Sequence, residues 1–230
     1  MKRSAAAILG TAMLAFVSQS YAADAWVEGR HYFRVQPAQR TNVAQGKVEV
    51  AEAISYGCPA CNSYLPIMRD LKTRLPPQAE VVYVHASFNS AEQWPMFQRA
   101  FYTATALGVV PKTHEALFKA IWDTGELAVV DSRTGAIKKP PPTLEDVAKF
   151  YQRSAGVDPK KFLATAKSFS TDTNIKRAEE WMKAVRVNET PTFVINGKYR
   201  VTSTSAGGVE PLLNLIVWLV NKEVAAVSGG

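Results

Sequence analysis

The chain has 230 residues, a formal charge of +7 from 27 Lys and Arg against 20 Asp and Glu, and an apolar fraction of 47%. This is enough for a sizeable core in one domain, or one domain with an insertion. The positive charge is dispersed. The paired lysines, Lys138-Lys139 and Lys160-Lys161, have no aromatic interleaving, so they read as solvated faces and argue against a nucleic-acid partner.

Residues 1–22 read as an export leader. Lys2 and Arg3 form a positive start, Ala5 to Val17 an apolar run, and Ser20-Tyr21-Ala22 a small-x-small cleavage site, with cleavage expected after Ala22. That run is too short to span a bilayer, and no later stretch reaches about 18 uninterrupted apolar residues. The expected mature protein starts at Ala23, exported and soluble.

In chain order, Glu28 to Val35 predicts a short strand and Pro37 to Gly46 a polar connection. Val48 to Ser55 is apolar on both faces, which predicts a covered central strand, with Glu52 in its middle. Then come Ser55-Tyr56-Gly57-Cys58-Pro59-Ala60-Cys61-Asn62, which hold the chain's only two cysteines. Cys61, Tyr64, Leu65, Met68, Leu71 and Leu75 recur at i, i+3, i+4, i+7, i+10 and i+14, the stripe of a helix running from Pro59 to Leu75. Pro66 should kink that helix, and Pro76-Pro77 should stop it. Val81 to Ala86 predicts a second strand, completing a βαβ unit.

The pattern then turns helical. Helices are expected over Gln93 to Leu107, His114 to Asp123, Leu144 to Ser154, Asp158 to Phe169 and Thr173 to Val187, with a loop or small hairpin over Gly125 to Pro142. This block, 91–187, is too long for a loop and reads as an inserted helical subdomain. Strands over 192–195 and 198–201 flank Asn196-Gly197, a strong type I′ hairpin signal. A helix over Glu210 to Val220 and a frayed tail over 225–230 close the chain.

The first cysteine therefore sits where a strand ends and a helix begins. Unpaired N–H groups and the positive end of the helix dipole favour an anion there, so Cys58 should be a low-pKa nucleophile. A Cys-x-x-Cys ring is too small to restrain an unfolded chain much. In an exported protein such a pair is better suited to exchanging disulfides than to stabilising a fold. With three scattered histidines, His31, His85 and His114, no metal site is expected. Glu52, inside a covered strand, should have a raised pKa and could pass a proton to or from Cys61. Tyr56 reads either as core or as a client-facing residue.

Strand, Cys-Pro-x-Cys, kinked helix and a distant Thr190-Pro191-Thr192 before a hairpin resemble the thioredoxin fold, a central mixed sheet. The helical insertion and the leader resemble the DsbA-type thiol:disulfide oxidoreductases in particular. Glu28-Gly29, Ala106-Leu107-Gly108-Val109, Leu117-Phe118 and Val194-Ile195-Asn196-Gly197-Lys198-Tyr199 also look like that family. The resemblance spans nearly the whole mature chain. It implies a thioredoxin-like domain over 23–90 and 188–224 and a periplasmic location. Cys61 would resolve mixed disulfides formed at Cys58, and no cofactor is implied beyond the redox-active Cys58–Cys61 disulfide. Pro191 would follow a cis bond, with the Thr190 backbone presented to a client strand.

The partners implied are folding exported proteins that carry cysteines and a quinone-linked membrane oxidase of the DsbB type; a monomer is the simplest reading of the sequence. The family also has a glutamate at the Glu52 position. It often places a lysine on the neighbouring strand, where this chain has Tyr83. At the Pro59-Ala60 dipeptide the chain departs from the family's best-studied pattern, which has histidine at the Ala60 position. Losing that cation or donor predicts a weaker oxidant, by on the order of tens of millivolts. The alternatives are a reductase or isomerase on the same fold, or a peptide-binding or chaperone module with incidental cysteines.

Overall fold

The computed structural model describes residues 26–228; the expected leader lies outside them. Five strands form one mixed sheet in the order β1-β5-β4-β2-β3. They are β1 (Phe33–Arg34), β2 (Val48–Ile54), β3 (Ala79–His85), β4 (Thr192–Ile195) and β5 (Tyr199–Val201). The β2–β3 pair is parallel and the other pairs are antiparallel. Helix α1 (Pro59–Arg74) links the parallel pair. Between β3 and β4 run α2 (Trp94–Ala106), α3 (Val110–Trp122), α4 (Leu144–Ala155), α5 (Pro159–Ala166) and α6 (Phe169–Ala184). The short α7 (Ser203–Ala206) and the long α8 (Val209–Ser228) follow β5.

Every residue of β2 is buried, as expected of a strand covered on both faces. On one face Val48 and Val50 join Tyr64, Met68 and Leu71 of α1 and Leu212, Leu215, Ile216 and Leu219 of α8. On the other, Ala51 and Ala53 pack against the helical block through Phe97, Phe101, Leu117, Phe118 and Met182. Small residues on that face let the helices approach closely. Among the described residues no helix is long and apolar enough to cross a membrane.

Asn196 and Gly197 both have positive φ, 49° and 66°, as the hairpin signal requires. A Cβ on Gly197 would also lie 2.1 Å from the Gln39 carbonyl oxygen, so the turn has no room for a side chain.

Several boundaries differ from expectation. The predicted first strand is reduced to Phe33–Arg34, because residues 27–32 close a turn in which Gly29 has φ 83° and donates to the Tyr32 carbonyl. Helix α3 starts at Val110, four residues early, since Pro111 is tolerated in a first turn. The helix expected through Phe169 stops at Ala166. There Ser168 caps a new helix by accepting from the Thr171 N–H, and α6 begins at Phe169. Segment 125–142 carries a single antiparallel bridge, Val130 to Ile137. Residues 225–228, expected to fray, continue α8.

Candidate active site

The turn joining β2 to α1 is held by the chain on every side. Gly57 N–H donates to Ser55 Oγ at 3.2 Å and Cys58 N–H to the Ser55 carbonyl at 3.1 Å. Tyr56 N–H donates to His85 Nε2 at 2.9 Å, and Trp122 Nε1 donates to the Tyr56 carbonyl at 2.9 Å. His85 is fully buried, and its Nδ1 lies 3.1 Å from the Ala86 carbonyl. An Nδ1–H tautomer therefore satisfies both ring nitrogens. Burial holds its pKa down to about 3, so it stays a neutral acceptor. Gly57 has to be glycine, because a Cβ there would lie 2.5 Å from Trp94 Nε1.

Cys58 is the N-cap residue of α1, with extended φ and ψ, and Pro59 follows as the first helical residue. Both cysteines are free thiols. Cys58 Sγ–H points to the Thr190 carbonyl at 3.4 Å, across the cis Thr190–Pro191 bond. Its pKa is pulled down to about 6. A hydrogen bond from the Cys61 thiol is the largest cause, followed by the Thr190 side chain and the backbone N–H groups of Cys61 and Ala60. The helix start thus contributes as expected, but the partner thiol contributes more. The Cys61 thiol is pushed far up, first by desolvation and then by Cys58.

The predicted residues divide clearly. Cys58, Cys61, Thr190 and Pro191 converge at the helix start, and Pro59 and Ala60 are exposed beside them. Cys58 is only 6% accessible, because Thr190 and Trp94 crowd the turn. Tyr56 does not face a client. It is fully buried, its hydroxyl lies 3.1 Å from His114 Nδ1, and its ring packs on Phe118 and His85. At a strand end its side chain falls on the face covered by the helical block. Glu52 is buried and unpaired at Oε2, and burial raises its pKa to about 8 against a lowering by Lys72.

Sequence reasoning missed His85, Trp122 and Lys72. Only His85 left a signal, as a polar residue ending a strand in the expected βαβ unit. Among the described residues no group of acidic, His and Cys side chains could hold a metal.

Comparison with known proteins agrees with this geometry. The family model described as Thioredoxin matches residues 43–214. The thiol:disulfide interchange protein DsbA of Pseudomonas aeruginosa is 34% identical over 94% of this chain and 96% of its own length. That of Azotobacter vinelandii is 32% identical over 96% of each chain. The crystal structure of Pseudomonas aeruginosa DsbA superposes with a TM-score of 0.73 at 33% identity, covering 90% of this chain and 98% of that one. The oxidoreductase DsbA of Xylella fastidiosa gives 0.73 at 30% identity, covering 86% and 98%. With two unlike sulfurs at a helix start, and matches that span nearly all of each chain, the protein belongs to the DsbA family of thiol:disulfide interchange oxidoreductases on the thioredoxin fold.

Proposed function

We propose that this chain is a periplasmic disulfide donor that oxidises cysteine pairs in folding, newly exported proteins. The observation that carries this reading is the contrast at the helix start: one thiol drawn down to about 6, its neighbour pushed far up. A stabilised Cys58 thiolate is a good leaving group, which makes the Cys58–Cys61 disulfide a ready oxidant.

In the forward reaction a client thiolate attacks Cys58 Sγ. The Cys58–Cys61 bond breaks, a client–Cys58 bond forms, and Cys61 leaves as a thiolate that takes a proton. Glu52, protonated at neutral pH, supplies that proton across the cavity it shares with Cys61. A second client thiolate then attacks the client's own sulfur in the mixed disulfide. The client leaves oxidised by two electrons and Cys58 leaves as the stabilised thiolate. Reoxidation requires a disulfide supplied by a quinone-linked membrane partner of the DsbB type. The redox group is the cysteine pair itself. Thr190 and Pro191, beside Cys58 Sγ, offer backbone to an extended client.

Peptide oxidation and insulin reduction, run on wild type and Cys58→Ser, test this. The expected result is rapid peptide oxidation by the wild type and none by the variant. Oxidation surviving in C58S, or a wild type active only in insulin reduction, overturns it.

A further inference from the structure

Beneath Cys61 lies a cavity of about 10 Å³, lined by Glu52 of β2, Cys61 and Lys72 of α1, Tyr83 of β3 and His114 of α3. This is close to the space one water needs. Glu52 Oε2 is buried there without a hydrogen-bond partner, and an ionised carboxylate in that position is costly unless a cation or water reaches it.

Tyr83 sits opposite Glu52 in the β2–β3 register, and its hydroxyl accepts from Lys72 Nζ at 2.9 Å. The ammonium also lies 5.4 Å from the centre of the Tyr83 ring. Lys72 is otherwise a surface residue, so Tyr83 tethers a solvated cation over the mouth of a buried acid. The remaining charged and titratable groups at the cavity are engaged elsewhere. Arg69 and Glu115 pair with each other at 2.8 Å. His114 meets the Tyr56 hydroxyl, and burial keeps its ring neutral.

We propose that Lys72, held by the Tyr83 hydroxyl, is a positioning residue for Glu52: it lets the buried carboxyl release and take up the proton that Cys61 exchanges. The inference rests on the Glu52–Cys61 transfer described above. When the disulfide closes, the Cys61 proton passes to the Glu52 carboxylate. The sulfur electron pair attacks Cys58 Sγ, the Cys58–partner bond breaks, and the partner sulfur leaves as a thiolate. The partner's disulfide is the oxidant, and Lys72 transfers nothing. It keeps enough of Glu52 ionised to accept the proton.

The test is ring closure in a Cys58–glutathione mixed disulfide, followed by glutathione release across pH in wild type, K72M, K72R, Y83F and E52Q. Lys72 is exposed on a helix and methionine is a good helix former, so K72M keeps the fold. The expected result is a severalfold slower closure in K72M at about pH 7, with its profile displaced upward and meeting wild type at about pH 10. K72R restores most of the rate, and Y83F shifts the profile the same way by less. A K72M profile that coincides with wild type while E52Q is flattened overturns the role of Lys72 alone. An E52Q profile identical to wild type overturns the Glu52 reading, and Lys72 with it.

Discussion

Cys58 and Cys61 are the same thiol one helical turn apart, both almost out of reach of solvent at 6% and 2%, yet they ionise in opposite directions. Desolvation raises both thiols and dominates at Cys61, while hydrogen bonds outweigh it at Cys58. Cys58 caps the helix, facing the Cys61 thiol, Thr190 and two backbone N–H groups. Cys61 hangs from the first turn over a small cavity lined by Glu52, where every nearby influence except the Ser55 backbone disfavours an anion. The site assigns its roles by donors at the rim and their scarcity beneath.

The strongest way to break that contrast is to remove the lower sulfur. Cys61→Ser leaves Cys58 with nothing to expel a client, so covalent enzyme–client adducts should accumulate as a shifted band on non-reducing gels. Turnover should fall to background, and rapid turnover without adduct would place the nucleophile elsewhere.

Next in size is the acid beneath. The Glu52 carboxyl is raised from 4.5 to about 8 in the folded protein, so the stability it permits is full below about 4.5 and declines as pH rises to about 8. Glutamine has no such dependence. E52Q should therefore gain on wild type through that window, by on the order of a few kcal/mol at pH 8, in denaturant titrations. Parallel curves would mean that the carboxyl is not held neutral.

A smaller effect is expected at the rim. Gly57→Ala drives a methyl to within 2.5 Å of the Trp94 indole, an overpacking that costs about 1–3 kcal/mol. A lowered Tm with slowed client oxidation checks it. Smallest is Ala60→His, which restores a cation or donor near the exposed dipeptide. The alkylation midpoint of Cys58, expected at about pH 6 in the parent, should move down. The couple should become more oxidising by on the order of tens of millivolts. An unchanged potential would remove the argument from the dipeptide.

The parts that depend on local chain chemistry are legible in the sequence. A β2 with apolar residues on both faces, the helical stripe from Cys61 to Leu71 and the Asn196-Gly197 turn each carry their geometry in a few neighbouring residues. The resemblance to the thioredoxin fold supplies the cis Thr190–Pro191 loop, which nothing local dictates. What stayed hidden depends on long-range approach. Tyr56 could be assigned to core only once the helical block was seen to cover its ring, and His85 and Trp122 hold its backbone from 29 and 66 residues away. Tyr83 does lie opposite Glu52 in the sheet, but the sequence does not show that Lys72 of α1 donates to its hydroxyl, a contact made across two elements. The Ala166–Phe169 break was missed because a serine cap interrupts two helices without a proline or glycine.

Helix α1 lies in both hydrophobic cores. Cys61 belongs to the one under the helical block, while Tyr64, Met68 and Leu71 belong to the one under α8. The segment that carries the reactive sulfur cannot detach without opening the protein on two sides at once. Its amides should exchange with deuterium only through global unfolding, making the redox centre among the slowest-breathing parts of the molecule.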